Sequence, residues 1–438
     1  MISVGQKRQP GWRSVRWPLI LGVLALALRL AYFQLVVGGS SPLQGDEGVY
    51  HGIAVSYLNG QGWRDPVSGH QSERSPLLSA WLVVLYGAAG VNLSLARYTM
   101  LIGSALMVVA LYAVVKLATR GREDVAVSAA LLLAVYPPAW HWSWQVMTET
   151  PTALLALLGV AAFYLGARRG SPAWAAATGC LWGGLALCRL NYLPLLPAMW
   201  LGQQLLTRLT PLDVRWTGRQ WGLSALVWLA TLAPWVAHNY AAQGRFVPAT
   251  TQLGQMMMIC NGTLDHPFVQ DGLYYKNPEL TARMAQAESE LAWNAMGMAI
   301  GSAEIRANWR LLPHAVLMRA LNFWVQRPQA MDPGWSPSDL IMLVIWLPLL
   351  GLSIYSYRLW SWRHDWLAAL IVLCVFGTIL PFWGGPRFRF PVDALIIGRA
   401  AIPLASLMPW LRARYGLPGW RNGPRLETAA GAGSIGAA

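Results

Sequence analysis

Trp17-Pro18-Leu19-Ile20-Leu21-Gly22-Val23-Leu24-Ala25-Leu26-Ala27-Leu28-Arg29-Leu30-Ala31-Tyr32-Phe33-Gln34-Leu35-Val36-Val37 sets the class of this chain. The run is interrupted only by Arg29 and Gln34, and it is long enough to cross a bilayer at about 20 residues per span. Lys7, Arg8, Arg13 and Arg16 precede it, and the bias of basic residues toward cytoplasmic flanks places them inside the cell. Gly45-Asp46-Glu47-Gly48-Val49-Tyr50 therefore emerges on the far side, close to the membrane surface. Anionic headgroups repel an acidic pair, so it is a poor anchor. It suits chemistry on something presented by the outer leaflet. The plainer reading is that Asp46 N-caps an amphipathic helix running to about Tyr57.

Working outward, the composition is that of a polytopic membrane protein: 55% hydrophobic and 12% charged over 438 residues. The net charge of +14 does not mark a nucleic-acid binder, because the basic residues are not gathered into a patch or motif. They fall in short clusters between apolar segments: Arg120 and Arg122, Arg168 and Arg169, Arg215 and Arg219, Arg358 and Arg363, Arg412 and Arg414. That is the pattern of cytoplasmic loops. The first apolar run is too long for a cleavable signal, and no small-residue cleavage site closes it. The four cysteines show neither a disulfide framework nor metal-ligand spacing. No HExxH or P-loop pattern occurs, and Asn261-Gly262-Thr263 reads as a turn rather than a glycosylated sequon.

Apolar segments recur at Trp17–Val37, Tyr98–Leu117, Val125–Trp140, Thr152–Ala167, Trp174–Leu187, Tyr192–Leu206, Trp221–Ala237, Leu340–Tyr355, Trp366–Phe382 and Leu395–Trp410. Taken as one crossing each, they give about 10 spans, and the even number returns the basic C-terminal residues to the cytoplasm. Pro76 to Gly90 is apolar but short and reads as a helix lying in or dipping into the interface. The expected organisation is an N-terminal transmembrane module over 1–238, whose first outer loop spans 38–97. A mainly helical extracytoplasmic region follows over 239–338, with a helical pattern from Pro278 to Trp324 broken at Pro313. C-terminal spans occupy 339–411, and a basic cytoplasmic stretch leads into a disordered Gly- and Ala-rich tail over 412–438. Most of the 25 tryptophans, among them Trp140, Trp142, Trp144 and Trp383, read as interfacial anchors.

Outward-facing carboxylates, arginines and aromatic residues fit glycosyl transfer from a lipid-phosphate sugar. A carboxylate takes the proton of the attacking hydroxyl, and cations stabilise the departing phosphate. Phosphate leaves readily, so no general acid is required. Asp46 suits the base. Arg74, Arg245, Arg387 and Arg389 are candidates for the phosphate, which a guanidinium grips as a fork. On a helix Asp46 and Glu47 point about 100° apart, so only one of them would face substrate.

The order of these features resembles the GT-C superfamily of polyprenyl-phosphate-sugar-dependent glycosyltransferases. The nearest types are the bacterial relatives of protein O-mannosyltransferases and of the lipid A aminoarabinose transferase. Gly45-Asp46-Glu47-Gly48-Val49-Tyr50 looks like the acidic motif of their first extracytoplasmic loop. Glu73-Arg74-Ser75-Pro76-Leu77-Leu78 looks like the charged-and-proline motif that opens a second juxtamembrane helix. Thr148-Glu149-Thr150-Pro151 is similar to the acidic opening of the fourth span. Pro234-Trp235, Asn239-Tyr240 and Gly244-Arg245-Phe246-Val247-Pro248 resemble the lead into the extracytoplasmic region. Arg387-Phe388-Arg389-Phe390-Pro391 looks like an Arg-Tyr-x-x-Pro element, with Phe388 where tyrosine is usual.

The resemblance implies an all-α polytopic membrane protein with a GT-C-like helical bundle and amphipathic juxtamembrane helices in the first outer loop. It implies catalytic roles for Asp46, Glu47 and Glu73, with Asp46 the base. Arg74, Arg245, Arg387 and Arg389 would bind the donor phosphate, and Tyr50, Glu149 and His141 are further site candidates. It leaves room for a divalent metal ion at Asp46 and Glu73 and expects no other cofactor. The implied partners are a polyprenyl-phosphate-linked sugar, a lipid, glycan or protein acceptor, and membrane lipids, with no nucleic acid. The implied location is the cell inner membrane, with the site on the extracytoplasmic side. The competing classes are a transporter or lipid flippase, and a non-catalytic subunit of an envelope-polymer complex. Transport would favour ionisable residues near mid-span, where Arg29 is the clear case and no inverted repeat is evident.

Overall fold

The structure is a computed structural model that describes residues 16–262, 264, 278–325, 337–382 and 384–407. The expectations for Lys7, Arg8, Arg13, Trp383 and the 412–438 tail lie outside the described residues. The described residues form helices joined by turns and irregular loops: α1 (Arg16–Leu35), α2 (Asp46–Leu58), α3 (Leu77–Ala89), α4 (Leu93–Ala118), α5 (Glu123–Ala134), α6 (Pro137–His141), α7 (Glu149–Arg169), α8 (Pro172–Cys188) and α9 (Leu195–Leu209). They continue with α10 (Gly218–Gln243), α11 (Leu253–Asn261), α12 (Pro278–Met284), α13 (Glu290–Ala307), α14 (Leu312–Val325), α15 (Pro337–Leu359), α16 (Trp366–Ile379) and α17 (Pro386–Leu407).

Except for Val125–Trp140, which is divided between α5 and α6, each apolar segment overlaps one of these helices among the described residues. Four of them, α1, α4, α7 and residues 340–359 of α15, are long and apolar enough to cross a membrane by length and composition. The helix α3 has 13 residues, about 20 Å at 1.5 Å per residue, against a hydrocarbon core of about 30 Å. The segment from Val125 to Trp140 is not one helix. Pro137 and Pro138 cannot supply the amide hydrogens that would continue α5, so it stops at Ala134 and α6 starts afresh. Pro313 does not break the helical region over 278–324. It sits in the first turn of α14, where a missing amide hydrogen costs nothing, and the breaks fall after Met284 and Ala307.

The bundle is built around α4 and α7, which pack on each other and draw in α1, α5, α8 and α17; α10 lies along α8. Gly179 shows how close that last crossing is, since a Cβ there would stand 2.3 Å from the Ser224 carbonyl oxygen of α10. Inside, Phe163 stacks on Trp216 with ring centroids 4.5 Å apart, and Trp182, Trp221 and Trp366 close around them. Leu19 and Val23 of α1, Leu226 and Leu229 of α10, and Val344 and Ile354 of α15 point outward. An apolar outer surface of that kind suits lipid better than water.

Arg29, the charge within α1, is fully buried. It donates from Nε to Ser104 Oγ at 2.6 Å and from Nη1 to the carbonyls of Ala25 and Ala134 at 3.1 and 3.4 Å. It therefore caps the carbonyl end of α5 and pins α1 to α4, a structural task.

Candidate active site

Three helices begin at one place. Asp46 is the first residue of α2, Glu149 the first of α7, and Arg387 lies in the first turn of α17. Carboxylates at such starts are favoured by the unpaired amides and the positive end of the helix dipole. Asp46 is not the N-cap. Gly45 holds that position at φ 52° and no side-chain cap bond forms, so the carboxylate of Asp46 is left for tertiary partners.

Those partners are guanidiniums. Arg387 Nη2 donates to Asp46 Oδ2 at 2.8 Å, and Arg74 Nη1 stands 3.4 Å from Asp46 Oδ1. Arg387 also reaches Glu149 Oε1 through Nε, and the same oxygen accepts Arg189 Nη2 at 2.8 Å. At the other end Arg74 Nε is 3.6 Å from Glu73 Oε1, and Glu73 Oε2 meets His70 Nδ1 at 2.5 Å. The result is a chain of alternating charge, His70–Glu73–Arg74–Asp46–Arg387–Glu149–Arg189, assembled from five separate parts of the sequence.

Burial works to raise the Asp46 carboxyl, but Arg74, Arg387 and Arg189 outweigh it and hold Asp46 below the usual carboxylate range. Tyr50, one turn further along α2, is buried and its phenol is pushed up to about 12, first by burial and then by Asp46. It is a neutral hydroxyl beside the charged chain at any physiological pH.

The loop that carries Glu73 and Arg74 is tied down from outside. Glu290, at the start of α13, accepts the backbone amides of Gln71 and Ser72 at 2.8 and 3.0 Å. It also accepts Gln243 Nε2 at 2.8 Å and the Thr251 hydroxyl. The start of α13, with Gln243 and Thr251, thus acts as a brace for the loop.

Other sequence candidates fall elsewhere. Glu47, 1% exposed, turns away from the chain of charges and accepts the backbone amides of Val146 at 2.7 Å and Gln44 at 3.1 Å. Arg389 is about 200° around α17 from Arg387; it is buried, donates to Asp393 Oδ1 at 2.8 Å and Phe323 O at 2.7 Å, and lies 3.6 Å over the Trp346 ring. Arg245 is exposed beyond the end of α10 and makes no ion pair among the described residues. His141 is exposed, with Nε2 3.1 Å from Gln145 Nε2. Arg245 stands apart from the cluster. His141 makes no hydrogen bond or ion pair to it among the described residues, but it packs on Trp142 beside Arg387 and feels the charge of Glu149. Arg189 was not among the sequence candidates. Its signal was available: on the expected topology it sits on the outer side, where the bias of loop charges disfavours a basic residue.

A divalent ion fits this arrangement poorly. Asp46 offers both oxygens to guanidiniums, and Glu73 offers its own to Arg74 and His70. Cations already fill the directions from which a metal would approach. No group of three His, Cys, Asp or Glu side chains gathers as a ligand set among the described residues.

No protein-family model matches the chain, and no curated protein is similar to it in sequence. Among solved structures it is similar to the oligosaccharyltransferase AglB from Archaeoglobus fulgidus in complex with an inhibitory peptide and a dolichol-phosphate. The identity is 15%, the TM-score 0.57, and the match covers 94% of this chain and 53% of that one. The same archaeon's oligosaccharyltransferase tethered to an acceptor peptide gives 15% identity and a TM-score of 0.59 over 93% of this chain and 51% of that one. The chain has the GT-C fold. It spans about half the length of those two archaeal structures. ArnT from Cupriavidus metallidurans bound to undecaprenyl phosphate is 17% identical at a TM-score of 0.44, over 92% of this chain and 81% of that one. GT-C is the class expected from the motif order, and the helical, strand-free described structure agrees with it.

Proposed function

We propose that this GT-C protein is an inverting glycosyltransferase. It moves a sugar from a polyprenyl-phosphate donor to a hydroxyl of a lipid, glycan or protein acceptor, on the extracytoplasmic face of the cell inner membrane. The observation that carries the reading is Asp46 held between Arg74 and Arg387 at the meeting point of three helix starts. A base and two phosphate-binding forks then lie within one side chain of each other. The AglB structure holds a dolichol-phosphate, which supports a polyprenyl-phosphate donor for a chain of the same fold.

The step follows from these groups. The donor phosphate competes with Asp46 and Glu149 for the guanidiniums of Arg387 and Arg74. The acceptor oxygen attacks the anomeric carbon from the face opposite the phosphate, and Asp46 takes its proton. The carbon–oxygen bond to phosphate breaks as the glycosidic bond forms, and both electrons of the broken bond leave with the polyprenyl phosphate. The arginines stabilise the charge that grows on the leaving oxygen, so no acid is needed there. Because its neighbours hold Asp46 ionised well below neutral pH, the base is ready before the acceptor binds.

The transporter reading has no comparable support, since the one charge deep in α1 is spent on carbonyls and Ser104. Membranes carrying the protein, supplied with a radiolabelled polyprenyl-phosphate hexose or pentose, test the proposal. Label should leave the lipid phosphate and appear in an acceptor fraction. Label that only crosses the membrane while still attached to its lipid would support a flippase instead.

A further inference from the structure

We infer that Arg189 is a positioning residue: it takes up the charge of Glu149 so that Arg387 stays available to the donor phosphate. This rests on the transferase reading above and assigns a role to a residue that reading does not use. Glu149 has no exposure to solvent, so its charge must be met by protein groups. Its Oε1 accepts both Arg189 Nη2 and Arg387 Nε.

The two arginines are not equivalent. The Arg189 side chain is 9% exposed and fixed, with Nε donating to Thr148 Oγ1 at 2.9 Å and the guanidinium 5.3 Å over the Phe388 ring. The Arg387 side chain is 35% exposed and also reaches Asp46. Arg189 is therefore the permanent counter-ion and Arg387 the exchangeable one. Without Arg189 the whole charge of a desolvated carboxylate would fall on Arg387 and hold it back from a ligand. The balance of the site changes too. Arg74, Arg189 and Arg387 face Asp46, Glu73 and Glu149; loss of Arg189 leaves an excess negative charge where a phosphate must enter.

Arg189 Nη1 makes no hydrogen bond among the described residues, so direct contact with the phosphate is the rival role, and the double variant separates the two. The assay is titration of the purified full chain in detergent with undecaprenyl phosphate, with the neutral polyprenol as control. It reads the tryptophan fluorescence to which Trp142, 5.8 Å from Arg387, contributes. Arg189→Gln should weaken lipid-phosphate binding about 10- to 100-fold, as expected for a charged partner removed from a buried site, and leave polyprenol binding unchanged. Arg189→Lys should recover most of the loss, because a counter-charge is what is required. Arg189→Gln with Glu149→Gln should return to within about threefold of the parent, since neither charge is then left over.

Parent affinity in the single Gln variant, no recovery by Lys, or a double variant as weak as the single would each overturn the role. If the single variant does not fold, the Lys and double variants decide it in the same way. A parent protein that binds polyprenol as tightly as its phosphate would instead overturn the transferase reading itself.

Discussion

Arg387 joins the two carboxylates that open α2 and α7, so its removal tests the site as a unit. In Arg387→Ala, Asp46 keeps only Arg74 at 3.4 Å, and Glu149 keeps only Arg189 at 2.8 Å. Because Arg189 remains, Glu149 is not stranded. Two charge-assisted hydrogen bonds are lost, to Asp46 and Glu149, each worth about 1.5–3 kcal/mol before screening. Because Arg387 is 35% exposed, the net stability cost should be about 1–3 kcal/mol. Turnover should fall much more. A donor aimed at the developing charge of a leaving group is worth about 3–4 kcal/mol, or 10²–10³ in rate.

The pH profile gives a second readout. Arg387 is one of the groups that hold the Asp46 carboxyl down, so without it that carboxyl rises. Activity that needs ionised Asp46 is lost as pH falls through its pKa, and the acid limb of the variant should therefore lie at higher pH than the parent's. Arg387→Lys should regain less than about tenfold, because a single ammonium cannot serve both carboxylates with the planar fork. The assay is sugar transfer from a labelled polyprenyl phosphate in detergent, with protein level and monodispersity matched by size-exclusion chromatography. Parent turnover in Arg387→Ala, or an acid limb that does not move, would refute the reasoning.

Three further outcomes follow from the same geometry. Glu47→Gln should cost about 1–3 kcal/mol of stability through its two backbone amides, while turnover per folded molecule stays within about threefold; a selective loss of turnover at unchanged melting temperature would place Glu47 in the chemistry. Burial lowers the His70 imidazole, but its bond to Glu73 and the charges of Glu73, Glu290 and Asp65 raise it above its ordinary value; the stabilisation is complete below about pH 6.5 and lost as pH rises through that raised value, so the melting temperature should fall across that window in the parent but not in His70→Gln. A cysteine placed at Ser68 should react with an impermeant reagent from outside intact cells; labelling from the cytoplasmic side alone would invert the topology.

The helices were legible because apolar runs of bilayer length admit few alternatives. Boundaries failed where prolines decide them, at Pro137 and Pro313, since hydropathy is blind to a missing amide hydrogen. The residues that meet at the site were legible only through the motif order: Asp46 and Arg387 are 341 positions apart, and no local pattern links them. Direction around a helix was the weakest point. Arg387 and Arg389 look alike in sequence, yet two positions along α17 put one at the cluster and the other against Trp346. Arg189 was passed over because an arginine between two apolar segments reads as an ordinary loop charge until its side of the membrane is considered.

The most direct measurement is sugar transfer by Asp46→Asn, compared with the parent at equal amounts of folded protein. The amide keeps the shape and cannot take the acceptor's proton, so the rate should fall by on the order of 10²–10⁴, with lipid-phosphate binding retained. Transfer at the parent rate would contradict the account, because Asp46 would then be only the first residue of α2.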